Sequence, residues 1–269
     1  MGTQTPLGFI GAGKLAGSVI RGLLRMKFCA PEQIIASQPI DELRAELARE
    51  TGVTVTADNL DVVRAADAIF LGLKPTVILP VITELADKVR GKLIVSLAAG
   101  IRLPSMEALA DARFLRVMTN TPSAIGRGAT ALAPGSRSTD ADIARVTEIF
   151  RAIGIVVRLT DNEIDAVTAL AGSGPAFVYT VIEALAAGGE KTGLPADIAL
   201  TLATQTVLGA AQLTAESNLS PEELCHMVIT PGGTTAAGLE AMKKHGTSEG
   251  LIEAVVAAAA RGAEMAASA

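Results

Sequence analysis

The sequence predicts an α/β protein: a doubly wound sheet over residues 1–160, followed by an all-α segment over residues 161–269. Three observations carry that expectation. Short apolar runs alternate with helical patterns through the first part, a glycine-rich turn follows the first run, and strand signals stop beyond Asp161.

Residues 7–10, 33–36, 53–56, 68–71, 93–97 and 114–118 are short β-branched or apolar runs bounded by Gly, Pro, Asp or Asn, the pattern of strands. Residues 41–50 place Leu43 and Leu47 on one helical face, with Asp41 as the expected N-cap. Residues 62–66, 77–88 and 140–152 supply further helices. Strands apolar on both faces need cover on both sides, which implies a parallel sheet between two helical layers. Residues 129–133 and 155–159 add late strands, with antiparallel pairing left open.

Beyond Asp161, residues 175–193, 195–217, 221–228, 234–244 and 248–267 read as helices, several opened by proline in the first turn. Residues 176–189 are apolar almost all round, with Glu183 as the one charge. A helix of that kind is buried on every side. The helical half is too short to bury several of them alone, so a homodimer through this half is expected.

Composition removes several classes. The chain has no Trp, one Tyr (Tyr179) and six Phe, so its core is aliphatic and it lacks aromatic platforms for bases. Its net charge is −5 with no basic run, which argues against a nucleic-acid partner. Cys29 and Cys225 lack paired spacing, and His226 and His245 lack metal-ligand spacing, so neither a disulfide framework nor a metal site is expected. Consecutive apolar runs such as 254–260 are too short for a bilayer, so no membrane partner is expected. The first residues lack a basic signal-peptide region, and Pro6 stands where myristoylation of Gly2 would want Ser or Thr. A cytoplasmic chain is the expectation.

Gly8-Phe9-Ile10-Gly11-Ala12-Gly13-Lys14-Leu15-Ala16 fits the G-x-G-x-x-A pattern between a strand and a helix, the mark of a Rossmann-like fold. Gly11 permits the tight turn, Gly13 lets the backbone approach a pyrophosphate, and Ala16 keeps the helix close to the sheet. At the end of the second strand, Ser37 and Gln38 replace the carboxylate that would hold a free ribose 2′-hydroxyl. Both can donate to a 2′-phosphate, which favours NADPH while leaving NADH usable, although no Arg clamp stands beside them in sequence. Leu73-Lys74-Pro75 and Ala98-Ala99-Gly100 follow the fourth and fifth strands, at the carboxyl edge where ligands bind.

A second anion receptor is written as Thr230-Pro231-Gly232-Gly233-Thr234-Thr235. Two glycines before a helix expose main-chain N–H groups, and the helix dipole adds partial positive charge. Asn120-Thr121-Pro122 and Gly172-Ser173-Gly174-Pro175 read as ordinary turns. Residues 188–192 lack the Gly before Lys of a phosphate loop, and residues 171–174 lack the first Gly of a nucleophile elbow.

These motifs, with residues 71–75, 96–101, 118–122, 128–130, 165–168, 172–175, 183–185, 191–195, 208–211 and Gly238-Leu239, make the chain similar to pyrroline-5-carboxylate reductase over essentially its whole length. The Pro-Gly-Gly-Thr-Thr block in a helical second domain is specific to that family. The resemblance implies reduction of 1-pyrroline-5-carboxylate to L-proline by NAD(P)H, the last step of proline biosynthesis, in an intertwined dimer often assembled into decamers. It implies cofactor contacts at Ile10, Gly11, Ala12, Gly13, Lys14, Leu15, Gln38, Asn59, Gly72, Leu73, Lys74, Pro75, Ala98, Ala99 and Gly100. It places the substrate on Thr234 and Thr235 with the amides of Gly232 and Gly233, beside Thr230, where Ser is usual, and an acidic residue, Asp161. Thr235 is the expected catalytic hydroxyl, facing the imine nitrogen. Two rival readings are a related hydroxyacid dehydrogenase with Lys191 as base, and a nucleotide-sensing dimer without catalysis.

Overall fold

The computed structural model describes residues 6–267. The expectation concerning Gly2 and the first residues lies outside the described region. The chain forms two compact units, Met1–Ser173 with Ala258–Ala269, and Gly174–Ala257.

In the first unit the elements run β1 (Leu7–Ile10), α1 (Lys14–Arg25), β2 (Ile34–Ser37), α2 (Asp41–Thr51), β3 (Thr54–Thr56), α3 (Asn59–Ala65), β4 (Ala68–Leu71) and α4 (Pro75–Leu85). They continue through β5 (Leu93–Ser96), α5 (Leu103–Glu107), β6 (Arg113–Met118), β7 (Gly128–Pro134), α6 (Asp140–Arg151) and β8 (Gly154–Arg158). A short helix, α7 (Ile164–Val167), then widens into a π-turn at Thr168–Gly172. The eight strands form one sheet in the order β3-β2-β1-β4-β5-β6-β7-β8. All neighbours are parallel except β6 and β7, so the open question about the late strands resolves to one antiparallel pair followed by a parallel one.

Alternation along the strands sorts side chains onto two faces. Phe9, Phe70, Val95 and Val117 face one core, which α1 and α6 cover. Ile10, Ile69, Ile94 and Phe114 face the other, which α3, α4 and α5 cover. This is the two-layer cover that doubly apolar strands require. One local expectation fails. Asp41 does not cap α2; Ile40 holds the extended N-cap position, and Asp41, as first helical residue, pairs with Arg44 at 2.7 Å. The turn fixes this shift, because Gln38 Oε1 already receives the Ile40 amide. Leu47 is buried as expected, whereas Leu43 stays 43 % exposed.

Two buried ionic groups tie the sheet to its neighbours. Arg116 of β6 lies on the face of Phe114 and Met118 and is fully buried. Its guanidinium donates to Asp161 Oδ1 at 3.0 Å, to the Asp161 carbonyl at 3.1 Å and to Asp165 Oδ1 at 2.5 Å. Asp161 Oδ2 accepts the Leu103 amide, and Arg102 reaches Asp165 and Asn162. Thus α7 is pinned to β6 by charge rather than by apolar packing alone. Further along, Thr139 and Asp142 form a capping box at the start of α6, and Arg113 grips the Asp142 carboxylate at 2.8 and 3.1 Å. Burial pushes the Asp142 carboxyl up, but hydrogen bonds from Arg113 and Thr139 outweigh it and leave the pKa below the usual carboxylate range.

The second unit holds α8 (Gly174–Lys191), α9 (Ala196–Glu216), α10 (Pro221–Met227), α11 (Thr234–Lys244) and the start of α12 (Thr247–Ala267). Pro195 precedes α9 as its N-cap instead of opening its first turn. The buried core of α8 and α9 is Ala186, Ala199 and Ala203, with Ile182 against it. Within one chain the expected all-round burial of α8 is therefore absent. Tyr179, Leu185, Leu200, Leu208 and Leu213 are each at least half exposed. The expectation that no stretch is long enough to cross a bilayer also fails: Ile164–Lys191 and Ala196–Glu216 are long and apolar enough by length and composition. Scattered Thr and Glu break up the consecutive apolar runs, yet the mean hydropathy stays at 1.3 in both helices.

Replacing Asp142 by Ala should cost about 1–3 kcal/mol in denaturant unfolding at neutral pH. The difference between wild type and variant is full above the ordinary carboxylate pKa and shrinks as pH falls through the depressed native value. Arg116→Ala leaves Asp161 and Asp165 without their shared cation, and should lower unfolding free energy by about 3–5 kcal/mol. Isosteric Asp165→Asn should cost less, because a hydrogen-bond acceptor remains for Arg116.

Candidate functional site

The carboxyl edge of the parallel strands is built from turns that approach one another closely. After β1, Gly11 adopts a left-handed φ of 79°, and its amide and that of Ala12 both donate to the Ser37 carbonyl, at 3.2 and 2.9 Å. A Cβ on Gly11 would collide with Leu73, so the turn requires glycine. After β4, the Gly72 amide donates to the Ile10 carbonyl at 2.8 Å, and a Cβ there would lie 2.7 Å from the Gly11 carbonyl oxygen. These two turns flank the point where strand order reverses between β1 and β4, the position at which ligands bind in open α/β sheets.

Helix α1 opens at this point with Gly13 as N-cap, no side-chain cap and no acid in its first turn. Its leading amides, at Lys14, Leu15 and Ala16, have no intrahelical acceptor. A Cβ at Gly13 would meet nothing within 4 Å, so space lies directly before those donors. A dinucleotide pyrophosphate fits such a turn in charge, donor count and room. Side chains cap only some of the other helices, Asp58 on α3, Thr139 on α6 and Ser220 on α10; α2, α4, α5 and α9 start without one.

The remaining first-unit candidates gather around that turn. Ser37 Oγ donates to Asn59 Oδ1 at 2.7 Å, which joins the end of β2 to the first residue of α3. Gln38 is buried, its Nε2 donating to the Ala12 carbonyl at 3.2 Å. Leu73, Lys74 and Pro75 lead into α4, with Lys74 exposed as its N-cap. Ala98, Ala99 and Gly100 follow β5, Gly100 at φ 71°. The cofactor-type candidates thus all stand at one edge of one sheet.

The second cradle belongs to the second unit. Gly232 takes a φ of 72°, Gly233 donates to the Thr230 carbonyl at 2.9 Å, and α11 begins at Thr234. A Cβ on Gly233 would run into the Thr230 hydroxyl. As at α1, the N-cap is glycine, no side chain caps the helix and its first turn carries no acid. Thr234 and Thr235 make no side-chain hydrogen bond among the described residues. Thr180, Thr201 and Thr214, deeper in their helices, each donate back to a carbonyl one turn earlier. First-turn position leaves the hydroxyls of Thr234 and Thr235 without such an acceptor, open to a ligand. Asp161 stands apart from this cradle in chain terms: it lies in the first unit with both carboxylate oxygens engaged.

Three features escaped the sequence reading. Arg116 was hidden as one residue of an apolar strand, and only its alternation with Phe114 and Met118 could have marked it. Asn120, read as plain turn chemistry, bridges the Ala171 carbonyl and the Ala129 amide. Arg44 folds back onto the end of β2, donating to the Gln38 carbonyl at 2.9 Å. The signal for Arg44 was its place at the end of the first turn of the helix that follows β2.

Comparison with known proteins agrees with this layout. A family model described as pyrroline-5-carboxylate reductase dimerisation matches residues 161–265, and one described as NADP oxidoreductase, coenzyme F420-dependent, matches residues 6–100. The pyrroline-5-carboxylate reductase of Pisum sativum is 42 % identical over 261 residues, covering 96 % of this chain and 95 % of its own. The crystal structure of Plasmodium falciparum pyrroline carboxylate reductase with NADP bound superposes with a TM-score of 0.89 at 26 % identity, covering 97 % of this chain and 98 % of that one. The Coxiella burnetii pyrroline-5-carboxylate reductase gives a TM-score of 0.87 at 32 % identity, with coverage of 98 % and 99 %. With this identity across nearly its entire length, the chain belongs to the pyrroline-5-carboxylate reductase family.

Proposed function

We propose that this protein reduces 1-pyrroline-5-carboxylate to L-proline with NADPH as reductant, NADH being usable, and so completes proline biosynthesis. Full-length membership of the family carries the reading, and two glycine-capped helix starts support it. The reduced nicotinamide supplies a hydride to the carbon of the ring C=N bond. The first cradle, Ile10 to Leu15 with Gly72–Pro75 and Ala98–Gly100, holds the dinucleotide through main-chain donors. Ser37, Gln38 and Asn59 order its ribose end.

In the second cradle the substrate carboxylate rests on the amides of Gly232, Gly233 and Thr234, beside the Thr230 hydroxyl. Thr235 Oγ1 hydrogen-bonds the imine nitrogen and guides a proton to it as the ring carbon is reduced. Strong acid–base residues are not required, since positioning and charge stabilisation supply most of the acceleration. Asp161 plays a supporting part: its engaged carboxylate holds Arg116 and the Leu103 amide. The hydroxyacid dehydrogenase alternative gives the Thr230–Thr235 turn no task and is not favoured.

The exposed apolar faces of α8 and α9 are covered, in this reading, by the same faces of a second copy. The match of residues 161–265 to a dimerisation model supports a homodimer over contact with lipid. Unpaired Cys29 and Cys225 fit a reducing, cytoplasmic setting.

Steady-state oxidation of NADPH with pyrroline-5-carboxylate tests the activity, and absence of turnover with either nucleotide rejects it. Thr235→Ala should lower kcat about a hundredfold and leave NADPH affinity nearly unchanged. Gly13→Asp separates stability from binding. Its carboxylate caps α1 and should raise stability by a few tenths of a kcal/mol. The same charge faces the pyrophosphate, so NADPH affinity should fall by about tenfold or more.

A further inference from the structure

The two side chains expected at the ribose 2′-position are already occupied. Ser37 donates its hydroxyl proton to Asn59. Gln38 is 5 % exposed, with its Nε2 on the Ala12 carbonyl and its Oε1 on the Ile40 amide. Beside them stands a cation that sequence distance conceals. The first turn of α2 returns Arg44 to the strand end, where Nη1 donates to the Gln38 carbonyl at 2.9 Å and to the Pro39 carbonyl at 3.5 Å. Nη2 donates to Asp41 Oδ1 at 2.7 Å.

These contacts differ in kind. On one side the guanidinium is anchored by main-chain carbonyls that cannot leave. On the other its partner is a carboxylate whose side chain is 87 % exposed, while Arg44 itself is only 24 % exposed. An exposed ion pair is weakly held. A phosphate dianion is a stronger match for a planar fork of N–H donors than a solvated carboxylate. No carboxylate occupies Ser37 or Gln38, so nothing at the strand end itself repels that phosphate.

We propose that Arg44 is the determinant of NADPH selectivity: it binds the ribose 2′-phosphate, releasing Asp41 to solvent while staying anchored on the Gln38 carbonyl. The inference rests on the dinucleotide reading of the Gly11–Gly13 turn. It adds a specificity residue to that reading and leaves the reaction unchanged.

Calorimetric titration of the full chain with 2′,5′-ADP and with 5′-AMP, without substrate, tests it. Arg44→Ala should weaken 2′,5′-ADP by about tenfold or more and change 5′-AMP by less than about twofold. Arg44→Gln keeps a donor for the Gln38 carbonyl but removes the charge, and should behave alike. Asp41→Asn should tighten 2′,5′-ADP, because a competing anion is gone. In steady state, KM for NADPH rises in the Arg44 variants, while KM for NADH and both kcat values hold. Equal weakening of the two nucleotides makes Arg44 a strut of the turn and overturns the proposal, as does unchanged affinity for 2′,5′-ADP. In both cases the dinucleotide reading survives, since wild type still binds. A wild-type chain that binds neither nucleotide removes that reading, and the role of Arg44 with it.

Discussion

The close approach of two main-chain turns, at Gly11 and Gly72, is the constraint on which the carboxyl edge depends. The Gly72 amide on the Ile10 carbonyl locks the turn after β4 against the turn after β1. Side chains are excluded from both positions by collision with Leu73, Ala16 and main chain. Because the turns are so tight, α1 can start at once after β1, with its first amides aimed over the sheet edge. A longer or bulkier turn would lift the helix away and spread those donors. A related constraint recurs before α11, where contact with Thr230 leaves no room for a Cβ on Gly233 and Gly232 takes a left-handed φ of 72°. In the function proposed, backbone geometry does in both places the work that cationic side chains do in other anion sites.

Charge inside the first unit follows a different rule. Arg116 occupies a position that strand alternation assigns to an apolar side chain, and its desolvation is offset only because two carboxylates and a carbonyl converge on it. A greasy residue would fill the same volume at lower electrostatic risk. What the ionic arrangement supplies is direction: α7 can dock on β6 in one register, with Asp161 just before the helix and Asp165 within it on the same guanidinium. That register fixes where the π-turn begins and where the chain leaves the first unit.

Much of this was legible from sequence because local and global signals agree. The strands at β1, β4 and β5 are apolar on both faces, and the glycine pattern after β1 has few structural interpretations. The helices after Asp161 announced themselves through proline and length. What escaped was short or long-range. The helix at Leu103–Glu107 spans too few residues to show a period. Asp41 looked like a cap because it begins a periodic run, yet the Gln38 side chain fixes Ile40 one position earlier. Arg44 and Arg116 take their meaning from residues that only the folded chain brings beside them. The burial expected for α8 was assigned to a second copy from the start, and the single chain accordingly leaves its apolar faces exposed.

The alanine core of α8 and α9 has a consequence for how the protein endures dilution. A unit that encloses only Ala186, Ala199 and Ala203 gains little hydrophobic free energy by folding alone. In the proposed homodimer, where a second copy closes its leucine faces, folding of the helical half becomes a bimolecular event. Its melting temperature then climbs with protein concentration, and scarcity itself acts as a denaturant.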